Sequence, residues 1–136
     1  MKERKTICKF FIIVAMGVGV IFYWFTPVQF MQAVNADNIA YLTIASGVNG
    51  EEHIIEDIDN IGFVIDNIKS KSMRRTKLSS TYIGVGVKIS FWDKQGSVID
   101  TFFINDSTTI RKDPFFYKVT SGTLCYDYLI GLIENS

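Results

Sequence analysis

Between Lys9 and Lys69 the chain has no lysine or arginine, and His53 is the single histidine in its 136 residues. The first absence marks a border. Four cations, Lys2, Arg4, Lys5 and Lys9, stand before an unbroken apolar run over residues 10–25. Basic residues stay on the cytoplasmic side of a membrane span, so the chain beyond residue 25 is expected outside the cytoplasm. The second absence removes most acid–base and metal chemistry, because one imidazole cannot build an ordinary zinc site or serve several nucleophiles. No G-x-S-x-G elbow is present, and Gly84-Val85-Gly86-Val87 lacks the Gly-Lys-Ser/Thr ending of a phosphate loop. Its glycines read as an allowance for sheet curvature or close helix packing.

Cysteine is also scarce. Cys8 and Cys125 are the only two, and a bilayer between them forbids an intramolecular disulfide. Cys125 reads as a small buried hydrophobe. Cys8 precedes the apolar run instead of following it, which excludes a lipoprotein box.

The apolar run itself supports two readings. Sixteen residues in helix reach roughly 24 Å at ~1.5 Å per residue, short of a ~30 Å hydrocarbon core. Snorkelling of Lys9 adds Ile7 and Cys8 to the buried stretch, Tyr23 and Trp24 suit the outer interface, and Pro27 marks the exit. These features describe a single-pass anchor. A cleaved signal peptide shares the basic start and apolar centre, with Val34-Asn35-Ala36 as its small-residue cleavage site, after which the domain would be secreted. The expected organisation is an anchor and stalk over residues 1–36 and an extracytoplasmic domain over residues 37–136.

That domain holds ten Lys/Arg and thirteen Asp/Glu, a net charge of −3 hidden by the neutral total. Such a balance, on the outer side of a membrane, excludes nucleic acid as a partner. Its pattern predicts strands over residues 38–46 and 51–55, joined by an Asn49-Gly50 turn. A helix follows over residues 58–69, N-capped by Asp57, with Ile58, Ile61, Ile65 and Ile68 as its buried stripe. Glu56, Asp57 and Asp59 suit its start, Lys69 and Lys71 its end, and Gly62 near the stripe predicts close approach to a sheet. Residues 70–80 read as a polar connector. Period-two alternation then sets Ile83, Val85, Val87, Ile89 and Phe91 inward, and further strands follow over residues 97–104, 108–112 and 115–120. Ser121 or Thr123 is expected to cap a last helix with Leu124, Tyr128, Leu129, Leu132 and Ile133 as its apolar positions. The fold class is α+β: an N-terminal transmembrane helix, then a small antiparallel sheet with two helices, in the order β-β-α-β-β-β-β-α.

This layout resembles small proteins of unknown function in Gram-positive bacteria with one N-terminal anchor and one extracytoplasmic α+β domain. The stretches that carry the resemblance are Tyr41-Leu42-Thr43-Ile44, Asn49-Gly50, Glu56-Asp57-Ile58, Val85-Gly86-Val87-Lys88-Ile89-Ser90-Phe91 and Tyr126-Asp127-Tyr128-Leu129-Ile130. The resemblance implies fold and topology, and brings no catalytic residues.

Three groups of side chains compete as sites. Glu51, Glu52, His53, Glu56, Asp57 and Asp59 are dense in oxygen donors, but their spacing fits no calcium loop or zinc pattern, and they read as a solvated turn and helix-dipole carboxylates. Lys69, Lys71, Arg74, Arg75 and Lys77 put five cations within nine residues, with Met73 among them. They are the expected contact for an anionic envelope polymer or lipid headgroups. Tyr82, Trp92 and Tyr117, with Phe115 and Phe116 nearby, are the expected aromatic contact on an open sheet face; the plainer reading is packing in the core. No catalytic residue, metal or cofactor is assigned. The function expected is a non-catalytic, membrane-tethered extracytoplasmic module, in contact with the bilayer through its helix and with an envelope protein or polymer through its domain. The alternative is a membrane-localised immunity or regulatory protein that acts on a neighbouring membrane protein.

Overall fold

The computed structural model describes residues 1–47, 50–79 and 86–135. Helix α1, Lys2–Phe25, takes in the basic start as well as the apolar run, and its 24 residues cover roughly 36 Å at ~1.5 Å per residue. It is the one helix among the described residues long and apolar enough to cross a membrane, and none of its residues is buried in the protein.

Beyond a short turn of 3-10 helix, Ala36–Asn38, come β1 (Ile39–Ser46), β2 (Glu52–Ile55), α2 (Ile58–Lys69), β3 (Met73–Leu78), β4 (Val87–Asp93), β5 (Val98–Ile104), β6 (Thr109–Lys112), β7 (Phe115–Val119) and α3 (Tyr126–Glu134). The fold is α+β, as the pattern implies, with one strand more than expected. All pairings are antiparallel, in the order β2-β1-β4-β5-β6-β7-β3. Helix α2 carries the chain from the β2 edge to the β3 edge.

The extra strand is a correction. Residues 73–78 read as connector because only Met73 is apolar at an inward position, amid Arg74, Arg75 and Lys77. They form an edge strand on β7, where charges are tolerated because one side of the ladder has no partner strand. The Asn49-Gly50 turn and the inward positions Ile83 and Val85 fall wholly or partly outside the described residues, as does Gly84. Gly86 serves a close approach different from the one expected: a Cβ there would lie 3.1 Å from the Ile104 carbonyl oxygen at the end of β5.

The core lies between one sheet face and the two later helices. Leu42, Ile44, Ile89, Phe91, Phe102, Ile104 and Ile110 from the sheet meet Ile61, Val64, Ile65 and Ile68 of α2 and Leu129 of α3. Asp57 caps α2 as expected, its carboxylate accepting from the Asn60 amide at 2.9 Å. Two details of that helix differ. Ile58 is 84% exposed, because the buried stripe passes through Val64 instead. A Cβ at Gly62 would meet nothing within 4 Å, so no close packing requires glycine there.

Helix α3 also starts differently. Its N-cap position is Cys125, without a side-chain cap bond of its own. Asn67 of α2 supplies the contacts: its carbonyl oxygen accepts from the Cys125 amide at 2.8 Å, and its amide donates to the Thr123 carbonyl at 3.2 Å. A neighbouring helix thus does what Ser121 or Thr123 was expected to do.

Residues 27–36 do not form a free stalk. Val28 makes an antiparallel bridge to Met73, each amide donating to the other's carbonyl at 2.8 Å. Phe30 is 6% exposed, with its ring 5.4 Å from that of Phe102 and 5.0 Å from that of Tyr117. Met31 is equally buried, and Val34 and Ala36 pack against the same core. The segment is apolar at Val28, Phe30, Met31 and Val34 without a run of glycine or serine, which is the signal in the sequence that it is not a linker.

Candidate functional site

The five clustered cations separate once β3 forms: strand alternation parts Arg74 from Arg75, and a register shift between Arg75 and Lys77 turns Lys77 to the face of Arg74. Lys69, at the end of α2, donates to the Val34 carbonyl at 2.8 Å, and Gln32 donates to the Lys69 carbonyl at 3.0 Å. Lys71 lies against Gly122, where a Cβ would stand 3.1 Å from its Nζ. Arg75 turns toward the end of α1. Its Nη1 donates to the Tyr23 carbonyl at 2.7 Å and the Thr26 carbonyl at 3.4 Å, and its Cζ lies 4.0 Å from the centre of the Tyr23 ring. The last carbonyls of a helix lack intrahelical donors and carry the negative end of its dipole, so a guanidinium there is well placed. Lys69 and Arg75 therefore hold the segment after the apolar helix onto the domain. Arg74 and Lys77 are exposed on the opposite face, with the Lys77 ammonium 5.0 Å from the Phe116 ring.

The aromatic set divides as well. Tyr117 is 8% exposed and packs beneath Phe30, so it belongs to the core and not to an open sheet face. Tyr82 falls outside the described residues. Trp92 does lie on the face that the helices leave uncovered, half-buried and stacked on Tyr41 at 5.6 Å with 12° between the rings. Its indole N–H donates to Thr43 Oγ1 at 3.0 Å. Cross-strand register extends that face through Ser90 and Thr101, whose hydroxyls bond at 2.9 Å, to Phe103, which has the Arg111 guanidinium 4.2 Å from its ring centre. It presents half-buried rings, Thr101 and a stacked cation, with Thr43 and Ser90 buried beneath them. At its β3 end a depression of about 420 Å³ is lined in part by Lys77, Asp106, Phe116 and Lys118.

The remaining candidates stay chemically quiet. Asp57 is taken up by its cap, and among the described residues no group of three or more His, Cys, Asp or Glu side chains could hold a metal ion. Cys125 is 5% exposed, and burial pushes its thiol up to about 11, which keeps it protonated at neutral pH. A thiol is a poor nucleophile in that state.

Compared with protein-family models, curated proteins and solved structures, the chain matches none.

Three groups of residues escaped sequence reasoning. The first is the segment around Phe30, the second Arg75 as a link to the apolar helix, and the third the Phe103–Arg111 pair. Arg75 meets a helix end some fifty positions earlier, and the Phe103–Arg111 pair is set by the register of the β5–β6 hairpin, neither of which side-chain periodicity carries.

Proposed function

We propose that the protein is a non-catalytic module tethered to the cell membrane by α1, with its N-terminus cytoplasmic and its domain outside, and that the sheet face around Tyr41, Trp92 and Phe103 meets an envelope protein or polymer. One observation carries the tethered reading over the released one. Cleavage after Ala36 would remove the Val28–Met73 bridge and take Phe30 and Met31 out of the core. Losing a single buried Phe costs ~3–5 kcal/mol against a typical total stability of ~5–15 kcal/mol. A domain that needs these residues keeps its anchor.

The face suits recognition because its half-buried rings are already held in place, Trp92 by Thr43 and Phe103 by Arg111, so little side-chain freedom is lost on contact. The test has two arms in intact bacterial cells. A membrane-impermeant maleimide should label Ile54→Cys from outside, and failure to label would put the domain on the wrong side. A photo-crosslinking residue at Trp92 or Phe103 should give discrete adducts that a probe at Asp66 does not. Equal yields at all three would remove the sheet face as a contact surface.

A further inference from the structure

The antiparallel bridge between Val28 and Met73 fixes the direction of β3. From Met73 the strand runs back along the outgoing chain, toward the end of α1. Arg75, two residues on, reaches the Tyr23 carbonyl. Leu78, the last residue of the strand, pairs with Phe115, and the Phe115 ring lies 5.6 Å from Trp24 and 6.3 Å from Tyr23. Tyrosine and tryptophan at the end of a span sit at headgroup level. Side chains within one ring's width of them share that depth. Leu78 is nonetheless 62% exposed.

Charge is arranged in the same sense. Strands β3, β6 and β7 carry six Lys/Arg and no Asp or Glu. At the other edge, Glu51, Glu52, Glu56, Asp57 and Asp59 cluster on β2 and the start of α2. Charge is thus graded across the sheet, with the more basic strands beside the apolar helix; Asp113, in the turn between β6 and β7, accepts from Ser79 and pairs with Arg111 at 3.6 Å. Of the six cations, Arg75 is committed to α1, Lys112 to Asp100 at 2.6 Å, and Arg111 to the Phe103 ring; Arg74, Lys77 and Lys118 are exposed.

We propose that the β3 edge rests on the outer membrane surface, with Leu78 and Phe115 in the interface and Arg74 and Lys77 on the phosphates of anionic phospholipids. This rests on the tethered reading, since α1 is what sets the depth of the edge. Phospholipid is the occupant because the chain that forms the edge's contacts is itself continuous with the span. An exposed leucine beside two cations matches the layered chemistry of that boundary, with the apolar group below and the charges at headgroup level. Contact there holds the uncovered sheet face at a fixed orientation to the bilayer.

The test uses the full-length chain with Cys8→Ser, reconstituted in phosphatidylcholine vesicles with or without phosphatidylglycerol and containing a headgroup-proximal doxyl lipid. Leu78→Cys and Ile54→Cys, each carrying a bimane, are compared; the two native side chains are both 62% exposed and lie at opposite edges of the sheet. Strong quenching at position 78 and little at position 54 is expected, with the contrast larger when phosphatidylglycerol is present. Replacing Arg74 and Lys77 with Ser should lower the ratio of docked to lifted edge by about fivefold for each cation. Flotation separates the two proposals. A chain that fails to float with the vesicles overturns the tether, whereas a chain that floats with position 78 unquenched overturns the edge contact alone. Quenching at 78 that ignores both lipid charge and the Ser replacements overturns the assignment to anionic headgroups.

Discussion

Phe30 ties the segment after the apolar helix to the core, because its buried ring packs against both Phe102 and Tyr117. Phe30→Ala should lose ~3–5 kcal/mol in denaturant unfolding of the detergent-solubilised chain. A loss below ~1 kcal/mol would mean that the core closes without residues 27–36. Cys125 gives a pH signature. Its pKa in the fold is about 11 against an ordinary 9.0, because burial disfavours the thiolate. The neutral form fits the core and the charged form does not, so this contribution to stability is complete below pH ~9 and declines as pH rises toward ~11. Unfolding curves across that range should show the decline, and Cys125→Ala should flatten it. Alkylation of the native thiol at neutral pH should be slow and speed up on denaturation.

Elements here are completed by residues from other elements. Helix α3 begins on Asn67 of α2, so Asn67→Ala should cost ~1–2 kcal/mol, within the range for a lost N-cap, and raise amide exchange first at residues 125–128. The end of α1 is completed by Arg75 of β3. Arg75→Ala should speed exchange at Thr26 and Val28 while the amides of β4 stay protected, and Arg75→Lys should restore part of the effect by keeping the charge without the stacked plane. Uniform exchange changes across the sheet would show that Arg75 supports the whole fold instead.

The same distinction explains what the sequence made legible. The span and cap of helix α2 were legible, because Asp57, the spacing of Ile61, Ile65 and Ile68, and Lys69 act locally and agree, whereas the exposure of Ile58 was not. Val87, Ile89 and Phe91 were legible for the same reason, their inward alternation surviving as burial. Strand β3 was not: Arg74, Arg75 and Lys77 mask its period, and its pairing with β7 joins residues some forty positions apart. Among the candidate site residues, clustering in sequence misled twice. Five cations near one another along the chain divide between two faces, and Trp92 and Tyr117 end on opposite sides of one sheet.

On the scale of the whole molecule, helix and domain are joined without a slack segment. The Val28–Met73 bridge, the Phe30 contacts and Arg75 bind the exit of the apolar helix into the sheet, and the positive edge of the domain lies where that helix ends. Such a joint fits a module whose partner meets it at a set height above the bilayer better than one that searches on a long leash. We therefore expect α1 to stay attached. Intact mass measurement of the chain from membrane and soluble fractions of expressing bacterial cells tests this directly. A tethered chain gives a membrane-bound species that retains residues 1–36, up to removal of Met1. A soluble, folded species beginning at Asp37 would contradict it.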